Sequence, residues 1–316
     1  MTEVEPELEL LIRAMRWESD GVVSLVLEDP DGGELPGWDA GAHLDLVLPG
    51  LVRQYSLCGD PGDRHRYRIA VLLEPAGRGG SRHVHESLRP GRRVPVRGPR
   101  NRFALEPAER YLFLAGGIGI TPILPMIARA EAAGADWLLA YGGRSRRTLA
   151  FLGELAWYGD RVRVVPADEQ GPLDLDGLLR DLPAGTAVYS CGPEGLLSAI
   201  EERSVGWAPG TLHLERFKAK EVVPVGGDQP FELVCRSSGV TVTVSAEETA
   251  IDALEAANVF VPSACREGIC GTCEVKVLDG TPDHRDSLLS PAEQEAGHTM
   301  LLCVSRARSG RLVVDA

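Results

Sequence analysis

The chain has 316 residues, 44% of them hydrophobic, and a formal charge of −13. That length allows two or three domains, the acidic balance speaks against nucleic acid as a partner, and no apolar run approaches the length of a membrane span. The first residues, "MTEVEPELELLIRAM", are acidic where a secretory signal would be basic. Seven cysteines, an odd number, suit a reducing cytoplasm.

Residues 1–107 contain short apolar or alternating runs broken by Gly, Pro and Asp: "VVSLVLED", "HLDLVLP", "RYRIAVLLE" and "RRVPVRG". Such spacing predicts an antiparallel barrel or sandwich. Residues 108–217 alternate strand and helix. "RYLFLA" leads through a Gly-rich turn into a helical run from Pro122 to Ala133, followed by "WLLAY", a helix near Leu149–Trp157, "VRVVP", "TAVYS", a helix after Pro193, and "TLHLERF". This alternation predicts a parallel α/β sheet. Residues 218–230, "KAKEVVPVGGDQP", lack periodicity and read as a linker. Residues 231–316 open with two strands around an "SSG" turn, continue with the helix "EETAIDALEAANV", and end in the strands "CEVKVLDG" and "RLVVDA". This last segment is the most acidic, with 15 acidic and 9 basic residues from 218 onwards, which suits either steering towards a basic protein surface or a solvated face.

Between that helix and the strand after it lies "CREGICGTC", residues 265–273. Zinc favours two separated C-x2-C pairs or a Cys/His mixture. The spacing C-x4-C-x2-C with a distant fourth cysteine is instead that of plant-type [2Fe-2S] ferredoxins. Cys265, Cys270, Cys273 and Cys303 are the ligand candidates; zinc is the alternative. Gly268 and Gly271 let the loop approach closely, and Arg266 reads as a surface or partner contact.

Two further turns point to nucleotides. "AGGIGITP", residues 115–122, joins a strand to a helix N-terminus, where backbone amides can approach a pyrophosphate. It is not a Rossmann fingerprint, because Pro122 stands at the third glycine and no acidic residue ends the second strand. "YSCGPEGLL", residues 189–197, forms a second strand–turn–helix. Upstream, "RQYSL" (53–57) and "GRGGS" (77–81) offer an arginine, a hydroxyl and glycine amides suited to a phosphate monoester. Each turn alone could merely be a turn.

In this order the five motifs, with "DHRDSLLS" and "LLCVSRA" near the end, resemble the phthalate dioxygenase reductase family, which includes the vanillate demethylase reductases and belongs to the ferredoxin–NADP reductase superfamily. The resemblance spans nearly the whole chain. It implies an FMN-binding β-barrel over 1–107, an NAD-binding α/β domain over 108–217 and a β-grasp ferredoxin over 231–316. Arg53, Tyr55 and Ser56 would hold the flavin, and Gly79, Gly80 and Ser81 its phosphate. Gly117, Gly119, Thr121, Cys191 and Gly192 would face the nicotinamide, with Thr121, Cys191 and Phe217 nearest the chemistry. Arg144 and Ser145 would meet the adenosine. Arg146 and Arg147 are either a 2′-phosphate site or a solvated face, and the resemblance favours NADH over NADPH. The expected function is transfer of electrons from NADH through FMN and a [2Fe-2S] cluster to a terminal oxygenase. A Rieske-type acceptor is favoured; the alternatives are a haem monooxygenase or a redox-sensing module without turnover.

Overall fold

Alternation of apolar and polar side chains builds the first sheet. In the computed structural model, which describes residues 7–220 and 227–316, six antiparallel strands appear. They are β1 (Leu8–Ser19), β2 (Val22–Glu28), β3 (Ala42–Leu48), β4 (Leu51–Ser56), β5 (Arg66–Leu72) and β6 (Arg93–Asn101), in the order β4-β3-β6-β1-β2-β5. The two outer strands meet. Leu57, just past β4, bridges Ile69 of β5, and the Cys58 N–H donates to the Arg68 carbonyl at 2.8 Å. The sheet therefore closes as the expected barrel, which leaves no long unpaired edge. Its interior holds Leu10, Leu25, Leu44, Leu46, Tyr67 and Val94.

Strand β1 is not among the strands read from the sequence. Its register against β2 shifts between Ile12 and Ala14 and again between Trp17 and Ser19. Each bulge inverts the alternation that would betray a strand.

The second sheet is wholly parallel: β7 (Arg110–Gly116), β8 (Asp136–Gly143), β9 (Val162–Pro166), β10 (Thr186–Cys191) and β11 (Leu212–Glu215), in the order β11-β10-β7-β8-β9. The chain starts at β7, builds outward through β8 and β9, then returns to the other side of β7 with β10. The reversal puts a topological switch point between β7 and β10, and ligands of such sheets bind at the strands' C-terminal ends there. Helices Ile120–Ala132 and Glu194–Arg203 follow β7 and β10 directly. The helix expected near Leu149–Trp157 is only Leu152–Leu155, continued by a 3-10 stretch to Arg161. Tyr189 of β10 pins the connection from the barrel: its hydroxyl donates to Ala104 O and accepts from Glu106 N.

The third sheet is mixed: β12 (Phe231–Cys235), β13 (Val240–Val244), β14 (Glu274–Asp279), β16 (Thr299–Leu301) and β18 (Arg311–Val314), in the order β13-β12-β18-β14-β16, beside a small pair β15 (Pro282–Asp283) and β17 (Arg306–Ala307). The central pair β12–β18 is parallel and its neighbours are antiparallel, the β-grasp arrangement. Helix Ala250–Ala256 begins at a capping box between Thr249 and Asp252, and Ile251 and Leu254 pack against Leu233, Val244 and Leu312.

The chain divides into two compact units, Met1–Glu215 and Arg216–Ala316. The barrel and the parallel sheet share the first, so the junction expected at 107/108 lies within one body. Phe217, expected to end the nucleotide domain, falls in the second. Residues 221–226 of the connecting segment expected over 218–230 lie outside the described residues. Among the described residues no helix is long and apolar enough to cross a membrane.

Candidate functional site

Strand register assembles the first site. Cys191, the last residue of β10, is paired with Ala115 of β7 on one side and with Glu215 of β11 on the other. Three strand ends thus lie abreast at the switch point. The turns beyond them touch through glycine. A Cβ on Gly119 would fall 2.2 Å from the Cys191 carbonyl oxygen, and one on Gly192 would fall 3.0 Å from Gly116 Cα. "GGIG" and "CGP", read separately in the sequence, are one backbone surface. The close approach of β10, rather than a ligand alone, is what excludes a side chain at Gly119. Gly117 differs: it has open space but a φ of +55°, the left-handed region.

Thr121 is buried, and its hydroxyl donates to Ile118 O at 3.0 Å. Its proton is therefore engaged in locking the turn. Cys191 is buried, and burial together with the neighbouring Glu215 carboxyl drives its thiol pKa well above the ordinary range. It is a neutral thiol.

The sequence reading missed Glu215. Its only signal there is a carboxylate closing the short strand "LHLE". In the structure Ser56, at the end of barrel strand β4, lies with its Oγ 3.4 Å from Glu215 Oε2, although 159 residues separate the two. The side chains of Ser56, Cys191 and Glu215 therefore meet where the barrel joins the parallel sheet. Although Glu215 is half-buried by accessible surface, protein surrounds its carboxyl group, and desolvation pushes its pKa up to about 8, against opposing hydrogen bonds from Ser56 and Cys191.

A raised carboxyl pKa has a defined sign. The folded chain binds the proton that the unfolded chain has lost, so this contribution to stability is full below pH 4.5 and disappears as pH rises towards 8. Glu215→Gln should flatten that fall. Urea unfolding of flavin-stripped protein between pH 5 and 8.5 measures it, and parallel pH profiles for wild type and variant would contradict the buried carboxyl.

The barrel supplies a second group of residues. A Cβ on Gly80 would come within 2.8 Å of Arg53 Cγ and 3.2 Å of its Nε, so the "GRGGS" turn lies directly on the arginine of "RQYSL". Gly79 has φ +96° and precedes helix Gly80–Ser87, so the helix starts at the turn that approaches Arg53. The Ser81 hydroxyl accepts from Glu74 N at 2.9 Å, which closes the loop and leaves its own proton to donate. An arginine, amides and a hydroxyl gathered at a helix start fit a phosphate monoester, as FMN requires. Tyr55, on the same strand as Arg53, is half-buried, and burial raises its hydroxyl pKa to about 12 against the pull of Arg53.

At the far end of β8, Arg144 is exposed. Ser145 is held in a turn in which its N–H donates to Thr148 Oγ1 and Thr148 Oγ1 donates to its carbonyl. Arg146 pairs with Glu169 at 3.5 Å and Arg147 with Asp20 at 3.0 Å.

The second unit holds the cysteine loop. Cys265, Cys270, Cys273 and Cys303 are all at most 3% exposed. Their sulfurs interact with one another, which pulls the Cys265 and Cys273 pKa values down and pushes those of Cys270 and Cys303 up. The Glu267 N–H points at Cys265 Sγ (3.3 Å), and Thr272 Oγ1 lies 3.2 Å from Cys270 Sγ. Gly268, at φ +71°, has no room for a Cβ, which would fall 2.6 Å from Val304 Cγ2. Among the described residues no three His, Cys, Asp or Glu are set to hold a single metal ion; four sulfurs shared by two irons need not converge on one point. Four buried sulfurs with amide donors fit a [2Fe-2S] cluster. Arg266 lies exposed at the surface, as expected, and also has partners within its own unit. At φ +56° it binds Asp252 and Glu255 at 2.8 and 2.5 Å, tying the loop to helix Ala250–Ala256.

Known proteins agree with this division. Residues 233–308 match the 2Fe-2S iron-sulfur cluster binding domain, a span that includes all four cysteines. A vanillate O-demethylase oxidoreductase of Pseudomonas sp. (strain HR199 / DSM 7063) is 43% identical over 316 residues, covering 98% of this chain and 99% of its own. An intact type IV self-sufficient cytochrome P450 monooxygenase superposes with a TM-score of 0.91 at 46% identity; 98% of this chain is covered, and it spans 41% of that protein's length. Phthalate dioxygenase reductase, a solved structure described as modular for electron transfer from pyridine nucleotides to [2Fe-2S], superposes with a TM-score of 0.72 at 35% identity over 98% of both chains. With barrel, parallel sheet and C-terminal iron–sulfur domain in the same order along its full length, the chain belongs to the phthalate dioxygenase reductase family.

Proposed function

We propose that the chain oxidises NADH and passes its electrons singly, through FMN and a [2Fe-2S] cluster, to a terminal oxygenase, with a Rieske-type enzyme as the favoured acceptor. The observation that carries this is the presence on one chain of two distinct redox sites: the Ser56–Cys191–Glu215 group at the switch point and the four buried sulfurs. NADH releases two electrons together and the cluster accepts one; the flavin, when bound, supplies the conversion between them.

The chain's own residues do the positioning. Arg53, the amides of Gly79 and Gly80 and the Ser81 proton hold the FMN phosphate, and Tyr55 and Ser56 fix the ring. The bare backbone of Gly117, Gly119 and Gly192 lets the nicotinamide lie close, on a turn that Thr121 holds rigid. Cys191 contributes a neutral, apolar wall. Glu215 keeps its proton at neutral pH, so no carboxylate opposes an incoming ring, and the enclosure keeps water out. Phe217 follows this group in the chain. Arg144 and Ser145 receive the adenosine end. Cys265, Cys270, Cys273 and Cys303 ligate the irons.

NADH is the expected donor. Arg146 and Arg147 each already face a carboxylate, which lowers their attraction for a 2′-phosphate. The kcat/KM ratio should favour NADH at least tenfold, about 1.4 kcal/mol; a tenfold preference for NADPH would refute this.

A haem monooxygenase is the second reading of the acceptor, favoured by the 46% identity to a self-sufficient P450. The test is reconstitution: purified protein, NADH and either a Rieske oxygenase or a haem monooxygenase from the same cell. Turnover with the Rieske enzyme supports the proposal, and turnover with the haem enzyme alone moves it to the second reading. No NADH oxidation even with ferricyanide would leave only a redox-sensing module. Chromatography of the released flavin should give FMN.

A further inference from the structure

Residues 284–287, His-Arg-Asp-Ser, follow β15, and their side chains fall into two sets by the partners they meet. His284 and Asp286 form one set. The Asp286 side chain is fully enclosed, with its Oδ1 3.6 Å from His284 Nδ1 and its Oδ2 accepting from Leu288 N and Leu289 N at 3.2 and 2.7 Å. This set lies against the cysteine loop. The Ser287 N–H donates to Gly268 O at 2.9 Å, and a Cβ on Gly268 would fall 3.0 Å from Asp286 Cα.

Arg285 and Ser287 form the other set, and both hold the connecting segment. Arg285 makes two hydrogen bonds to the Asp228 carboxylate, at 3.1 and 2.6 Å, and a third to Asp283 at 2.9 Å. Arg306 adds a longer contact to Asp228 at 3.8 Å. Ser287 Oγ accepts from Lys220 N at 2.8 Å. Asp228 and Lys220 lie on either side of residues 221–226, so the segment is fastened at both ends to one strut, and that strut also supports the cysteine loop. The Arg285 and Asp228 side chains are only 16% and 25% exposed, and two-point arginine–carboxylate contacts are more specific and stronger than exposed single ones.

We propose that residues 284–287 dock the connecting segment onto the iron–sulfur unit and thereby set the rate at which electrons cross from flavin to cluster; this rests on the function proposed above. With Lys220 docked, the tether from Glu215 is the four residues 216–219. With Lys220 released and Asp228 still held, it is the twelve residues 216–227; with both released, it is the fifteen residues 216–230. Effective concentration across a flexible tether falls roughly as the −3/2 power of its length, so productive encounters fall about fivefold in the first case and about sevenfold in the second. Each crossing moves one electron out of the pair delivered as hydride and leaves the cluster one electron more reduced. Over two crossings one NADH yields NAD+, one proton released to solvent and two electrons, which leave through the cluster to the acceptor.

The test uses full-length holoprotein carrying Asp228→Asn, Arg285→Gln, both together, Ser287→Ala, or Ser287→Ala/Asp228→Asn. Stopped-flow mixing with NADH follows flavin reduction and then cluster reduction. Flash reduction of the flavin isolates the crossing where hydride transfer is slower. Flavin reduction, cluster potential and cluster EPR should be unchanged in all of them; the crossing should slow about fivefold in Ser287→Ala and about sevenfold in Ser287→Ala/Asp228→Asn, and stay unchanged in Asp228→Asn and Arg285→Gln, which leave Lys220 docked. The double variant Asp228→Asn/Arg285→Gln should be no slower than either single one, because both remove the same contact. Hydrogen exchange at the Lys220 amide should accelerate in the two variants that carry Ser287→Ala. In those two, an unchanged crossing with accelerated exchange overturns the proposal, as does unchanged exchange, since the strut then docks nothing. A shifted cluster potential also overturns it, because these residues would then act on the cluster itself. Failure of wild-type protein to reduce its flavin with NADH would sink the function rather than the strut.

Discussion

Gly119→Val should slow reduction of the flavin by NADH about 100-fold while leaving the cluster intact. The added Cβ would fall 2.2 Å from the Cys191 carbonyl oxygen, 2.4 Å from its carbon and 2.7 Å from Gly192 N. All three are backbone atoms of the neighbouring strand end, with no flexible tip to move aside. The two turns must part, and they part where the nicotinamide is to lie. Overpacking of this kind costs about 1–3 kcal/mol of stability, but a displacement of about 1 Å at a hydride-transfer site costs about 100-fold in rate. The activity should therefore fall much further than the stability. Gly153→Ala, in helix Leu152–Leu155, is the control: its added Cβ meets no atom within 4 Å. Stopped-flow reduction with NADH, beside dithionite reduction followed by EPR, separates the two units. Near-normal flavin reduction in Gly119→Val would mean that the nicotinamide does not use this surface.

The second large effect is expected from removing the iron–sulfur unit. Unit Met1–Glu215 has its own barrel core and its own parallel sheet, so a chain ending near Val225 should fold and remain yellow. It should oxidise NADH with ferricyanide at a rate close to that of the full chain, since ferricyanide takes electrons from reduced flavin. Support of the oxygenase should be lost entirely, because the four sulfurs have gone. The complementary lesion, Cys270→Ser, replaces a buried sulfur with an oxygen that is a poor iron ligand and should damage the cluster without touching the ferricyanide rate. Oxygenase turnover by the truncated chain would show that flavin feeds the partner directly.

Sequence by itself determined what depends on short spacing. Nine residues carry three of the four cysteines, and a loop that short can wrap only a small group, so the iron–sulfur site was legible without coordinates. Strand–helix alternation marked the parallel sheet, and the glycine turns marked its ligand end. Sequence could not determine what depends on partners brought from afar. Glu215 looked like one more acidic residue in an acidic chain; its raised pKa comes from burial that exists only once the barrel has closed against the parallel sheet, and the hydrogen bonds from Ser56 and Cys191 pull it the other way. Strand β1 hid behind two bulges that break its alternation. Arg266 read as a surface charge and is one, but only the tertiary structure supplies its partners Asp252 and Glu255 on helix Ala250–Ala256. The segment 218–230 read as a free linker because polar, Gly-rich composition reports only what a segment lacks for building a core. Its anchors at Arg285 and Ser287 lie some sixty residues further on. Covalent spacing limits which groups can be near one another along a turn or loop. Desolvation and hydrogen bonding between distant residues arise only when the chain has closed, and these decided which residues of this protein hold a proton, lock a turn or fasten the linker.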